Sequence, residues 1–133
     1  MKLLSTARAG ALGLLLAVPA IAPSLAHAEN LDGRRFDGVF IERGKTSGDA
    51  DTLVFKDGRF RSAACDRYGY VEVPYKTLIA GDAVQFEAES ESPKYGRLVW
   101  KGVVRGGKLD ATATMLRTGK SPVENWVVAA EKN

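Results

Sequence analysis

Histidine occurs once in the 133 residues, at His27, and cysteine once, at Cys65. Both scarcities exclude chemistry. Residues 1–28 read as a bacterial export leader: Lys2 and Arg8 make a positive start, Leu12 to Val18 with Ala11 and Gly13 an apolar stretch, and Ala26-His27-Ala28 a small-residue cleavage signal. Cleavage is expected before Glu29, and it removes the sole imidazole. With it go Ser-His-Asp and Cys-His catalysis, His-ligated zinc or copper, and a proximal-His haem. Met115 becomes the one methionine left, which excludes Met-rich copper binding. No catalytic residue, metal or cofactor is therefore expected, and the chain reads as a non-enzyme.

Long apolar runs are lacking as well. The leader's apolar stretch is broken by Pro19 and Pro23 and is short for a bilayer, and no cysteine marks a lipid anchor at the cleavage point. The mature protein is expected to be periplasmic or secreted, without a membrane span. A one-sided charge is missing too. Lys2 and Arg8 account for two of the 19 basic residues, while all 16 acidic ones lie beyond position 28, leaving a net charge of +1. Without a clustered basic face there is no footprint for nucleic acid. No Gly-x-Gly-x-x-Gly phosphate loop occurs. Cys65 has no partner in the chain, so the domain at 29–133 must hold itself together by apolar burial around one core.

Short alternating runs and recurrent glycine are what the chain does have, and no dozen residues keep a helical stripe. An all-β domain follows. Asp57-Gly58 suits a two-residue type I′ turn, which pairs Lys56 with Arg59, Phe55 with Phe60, Val54 with Arg61 and Leu53 with Ser62. Leu53, Phe55, Phe60 and Ser62 then share the core face. The same logic around Gly106-Gly107 joins 97–105 to 108–116, with Leu98, Trp100, Gly102 and Val104 opposite Met115, Ala113, Ala111 and Leu109. The small pair Gly102 and Ala111 leaves room for curvature or for another element. Residues 70–77 alternate with Val71, Val73, Tyr75 and Thr77 inward, and Pro74 favours an edge or bulge. Residues 82–89 place Val84, Phe86 and Ala88 inward. With weaker strands at 36–42 and 125–130, the count is about eight. Segments 44–51 and 90–96 read as exposed loops.

Closure of such a series removes free edges, so a single antiparallel up-and-down barrel is expected. The succession of short hairpins, ending in Gly107-Lys108-Leu109 and Trp126-Val127-Val128, resembles small exported calycin-like barrels, the broad group of lipocalins and avidins. The resemblance rests on strand rhythm over residues 31–130. Asp37-Gly38-Val39-Phe40 stands where lipocalins carry Gly-x-Trp. A barrel with an internal ligand cavity is what the resemblance implies.

Four residues are candidates for ligand contact. Cys65 lies beside Asp66 and Arg67, which push its acidity in opposite directions; a small buried apolar role competes with a redox or pocket role. Trp100 offers an indole N–H from the core face, and core packing is the competing role. Tyr68 and Tyr70 flank Gly69 and suit a barrel mouth. Glu87, Glu89 and Glu91 read as a solvated strand face, and Asp49 with Asp51 resembles a fragment of a calcium loop. The expected function is binding of a small apolar or amphipathic molecule inside the barrel. The alternative is a solid-cored module that binds an envelope protein or inhibits a periplasmic enzyme.

Overall fold

Alternating residues between tight turns make strands that succeed one another in space as they do in the chain. In the computed structural model, which describes residues 31–133, these are β1 (Arg35–Ile41), β2 (Asp49–Lys56), β3 (Arg59–Ser62), β4 (Val73–Ala80), β5 (Ala83–Ser92), β6 (Gly96–Arg105), β7 (Lys108–Leu116) and β8 (Val123–Glu131). They form a closed antiparallel barrel in sequence order, with β8 paired back onto β1. The expected leader at 1–28 lies outside the described residues. Among the described residues no helix is long and apolar enough to cross a membrane.

Turn chemistry sets the register. Asp57 and Gly58 both take positive φ, at 52° and 73°, and the four pairs from Lys56↔Arg59 to Leu53↔Ser62 form as the type I′ turn requires. Around Gly106-Gly107 the expected pairing also holds, from Arg105↔Lys108 to Leu98↔Met115. There only Gly106 of the pair has positive φ, 59°, which is the II′ form of the turn. Gly81-Asp82 makes a further turn of that kind, with Gly81 at φ 63° between paired Ala80 and Ala83. These three turns lie at one end of the barrel, the closed end.

Inward residues fill the barrel above that end. Phe55 is the hub of an aromatic column, with ring centroids 5.0 Å from Tyr75 and Phe86, 5.1 Å from Phe60 and 6.0 Å from Phe36. Phe60 continues the column to Trp100 at 4.9 Å. Two glycines make the packing possible. The Phe86 ring occupies the space where a Cβ on Gly102 would stand, 2.3 Å away, so the small pair Gly102 and Ala111 serves the neighbouring strand's aromatic. A Cβ on Gly38 would sit 2.0 Å from the Val128 carbonyl oxygen, so only glycine lets β1 approach β8 at the closing seam.

Residues 31–34 seal the closed end. Leu31 is fully buried, and the Asp32 carboxylate accepts the Gly58 N–H at 3.0 Å and the Tyr75 hydroxyl at 2.6 Å. Arg34 donates two bonds to Glu131, at 3.0 and 2.7 Å, and one to the Gly106 carbonyl at 2.9 Å. The first described residues are thus tied to the first hairpin turn and to the last strand.

Several local expectations shift. Asp49 and Asp51 belong to β2 and not to a loop, and Asp51 is buried, so the calcium-loop reading does not survive. Among the described residues no group of His, Cys, Asp or Glu could hold a metal ion. Ser90 to Ser92 extend β5, with Ser90 and Ser92 buried, which reduces the expected loop at 90–96 to a turn. Strand β4 starts at Val73, leaving Val71 exposed before it. Pro74 sits on the shortest ladder, where β3 and β4 share only Arg59↔Pro74 and Phe60↔Val73. Proline's missing donor fits where so little pairing exists. The segment after β3 winds into a 3-10 helix (Ala63–Tyr68), which strand periodicity did not indicate.

Candidate functional site

The end opposite the tight turns is built from longer connections, and the 3-10 helix lies across it. Asp51 fixes the start of that helix, accepting from the Ser62 hydroxyl at 2.6 Å and from the Ala64 N–H at 2.9 Å. Burial pushes its carboxyl above the usual range, against the pull of these two bonds. Gly69, in the left-handed region at φ 84°, stops the helix. A Cβ there would come within 3.2 Å of Ser92 Oγ. Ser92 itself donates to the Tyr68 carbonyl at 2.6 Å and accepts from the Tyr95 N–H at 3.2 Å. One buried hydroxyl therefore joins the helix to the β5–β6 turn, and the Tyr68 and Tyr95 rings meet edge to face at 5.3 Å.

Beneath this arch lies a cavity of about 310 Å³, near the lower limit for small-molecule sites at about 300 Å³. Phe40, Cys65, Leu98, Met115 and Val123 line it together with Tyr68, Tyr70 and Tyr95. Asn125 is held in its wall, donating to the Ala113 carbonyl at 3.1 Å and accepting from the Arg43 N–H at 3.3 Å.

Three of the four sequence candidates, Cys65, Tyr68 and Tyr70, come together on this cavity. Trp100 does not: it lies below, fully buried, edge to face with Phe40 at 6.1 Å, and serves the core under the site. Cys65 is 6% exposed, and burial pushes its thiol up to about 11, with Asp51 and Asp66 adding to the rise and Ser62 and Arg67 opposing it. Arg61 is engaged by Asp66 and so does not activate the sulfur. At neutral pH Cys65 is a protonated, apolar wall residue.

Tyr70 is different. Its residue is 5% exposed, yet its hydroxyl is buried without a hydrogen-bond partner among the described residues. Burial raises its pKa, neighbouring Cys65 adds to the rise, and the charge of Arg117 opposes it. Leaving such a group unpaired costs about 1–3 kcal/mol, and the cavity it lines is the space from which a partner can come.

Charge on the rim is uneven. Arg67 pairs with Asp49 at 3.4 Å and Lys45 with Glu42 at 2.9 Å. On the β5–β7 side, Lys94, Arg97, Arg117 and Lys120 line a shallow polar groove with one acid, Glu91, and none of the four has an ion-pair partner among the described residues. Arg117 lines groove and cavity alike, its stem packed over Gly96. Sequence reading found the tyrosines but missed Arg117, because a lone arginine after a strand carries no pattern. Comparison with protein-family models, with curated proteins and with solved structures finds no match to this chain.

Proposed function

We propose that the chain is a non-enzymatic exported carrier that holds a small apolar or amphipathic molecule in the cavity beneath Tyr68 and Tyr95. The Tyr70 hydroxyl, buried and unpartnered on a residue that lines this cavity beside Phe40, Leu98 and Met115, is the observation that supports this reading. A ligand with one hydrogen-bonding group satisfies it, and the rest of the ligand fills apolar space. The seal at the closed end and the aromatic column leave one end for entry.

Tyr70→Phe tests the reading. Removing an unpaired buried hydroxyl raises the stability of the empty protein by about 1 kcal/mol, and it weakens retention of the bound molecule. Native mass spectrometry of protein purified from the envelope reads both the adduct and its loss in the variant. A wild-type mass with no adduct under gentle desolvation, together with a Tyr70→Phe protein less stable than wild type, defeats it.

A second reading, an interaction module for an envelope protein or periplasmic enzyme, draws support from the outer wall. There Trp126, 42% exposed, and Val128 flank a concave surface on β5 to β8. Capture of a stoichiometric partner that Trp126→Ala abolishes and Tyr70→Phe does not would favour it over the carrier.

A further inference from the structure

We infer that the carried molecule is an anionic amphiphile, its apolar part in the cavity and its carboxylate or phosphate head on the basic groove, with Arg117 at the junction. This inference rests on the carrier reading and adds the chemistry of the head group.

Four cations on the groove face one acid, Glu91, which stands across the strand pair from Arg97 without a close ion pair among the described residues, whereas Arg67 and Lys45 across the mouth are each paired with an acid. Arg43 on the opposite side has no ion pair among the described residues either, but it stands alone there, whereas the groove gathers four cations. The cavity and the groove share Arg117, so a ligand whose tail lies against Leu98 and Met115 meets a guanidinium where it leaves the barrel. Gly96 fixes that position: a Cβ there would stand 2.9 Å from Arg117 Cγ and 2.6 Å from the Leu116 carbonyl oxygen, so the backbone leaves a seat for the arginine stem. Arginine presents a planar fork suited to carboxylate and phosphate oxygens.

Titration calorimetry of the full chain with decyl phosphate, decanoate, decanol and inorganic phosphate tests this. Both anionic amphiphiles are expected to bind about tenfold or more tighter than decanol. Inorganic phosphate is expected to bind far more weakly than decyl phosphate. In Arg97→Gln/Lys120→Gln, both exposed groove positions away from the cavity, the preference for the anions should fall several-fold while decanol binding stays as it was, and adding Arg117→Gln should abolish the preference.

Decanol binding as tightly as the anions overturns the head-group inference and leaves the carrier standing. Inorganic phosphate matching decyl phosphate also overturns it, since the groove would then act without the cavity. Failure of all three amphiphiles overturns the carrier reading and this inference with it.

Discussion

The two ends of the barrel are finished in opposite ways. At the closed end three two-residue turns keep the strands together, and Leu31, Asp32 and Arg34 fill and bond what is left. Every polar group named there has a partner: Asp32 satisfies Gly58 and Tyr75, and Arg34 satisfies Glu131 and Gly106. At the open end a 3-10 helix and longer connections arch over a cavity, and the buried Tyr70 hydroxyl has no partner among the described residues. One end is spent on stability, and the other withholds part of it. Such local incompleteness is where binding sites are found.

Breaking the packed half has the largest effect. Phe55→Ala removes the hub of the aromatic column and leaves a cavity that four neighbouring rings cannot collapse into, so it is expected to cost about 3–5 kcal/mol. Denaturant unfolding measures it; a loss under 1 kcal/mol would show that the column is not the core. Next comes the seal. Asp32→Ala strips the acceptor from the Gly58 N–H and the Tyr75 hydroxyl and is expected to cost about 1–3 kcal/mol. It should leave amphiphile binding at the far end unchanged, and a parallel loss of binding would mean that the two ends are coupled.

At the open end the informative variable is pH. Because burial raises the Asp51 carboxyl in the folded state, its contribution is fully present below the ordinary value of 3.8 and is lost as pH rises through the folded value. Asp51→Asn lacks that titration. Wild type should therefore lose stability relative to the variant as pH climbs from below 3.8, then run parallel to it. Asp37, lowered chiefly by the Thr52 hydroxyl, and Glu131, lowered chiefly by Arg34, tilt the other way but are common to both proteins and cancel. A gap that is flat with pH would place Asp51 in water. The smallest effect is kinetic: with its thiol at about 11, Cys65 is roughly one part in a thousand thiolate at pH 8. Iodoacetamide should label it far more slowly in the folded than in the unfolded protein, and equal rates would mean an exposed sulfur.

The closed end was legible in the sequence and the open end only partly so. Asp57-Gly58 and Gly106-Gly107 state their turns in two letters, and alternation then assigns every residue from Leu53 to Ser62 and from Leu98 to Met115 to a face. Past Ser62 the pattern stops. Ala63 to Tyr68 has no period to read, and Gly69 alone hints that a helix ends there. Ser90 and Ser92 look like loop residues because they are polar, yet they continue the inward face of β5; Ser92 is polar because it bonds the arch. Asp51 misleads for the same reason, being a buried strand residue whose partners, Ser62 and Ala64, lie more than ten positions away. Polar residues that serve tertiary contacts imitate solvent-exposed ones in a composition-based reading.

The seam at Gly38 also constrains how the protein comes into being. Strand β1 bonds to β8 from Phe36↔Glu131 to Ile41↔Trp126, so the first described strand waits for the last. Until β8 arrives, both β1 and β7 present unpaired edges, and contacts of such sequence separation form late and slowly. A chain delivered gradually by synthesis therefore remains an open, adhesive sheet until its final strand is released. Shielding of those edges in the interval, by a chaperone or by speed, is part of what this closure requires.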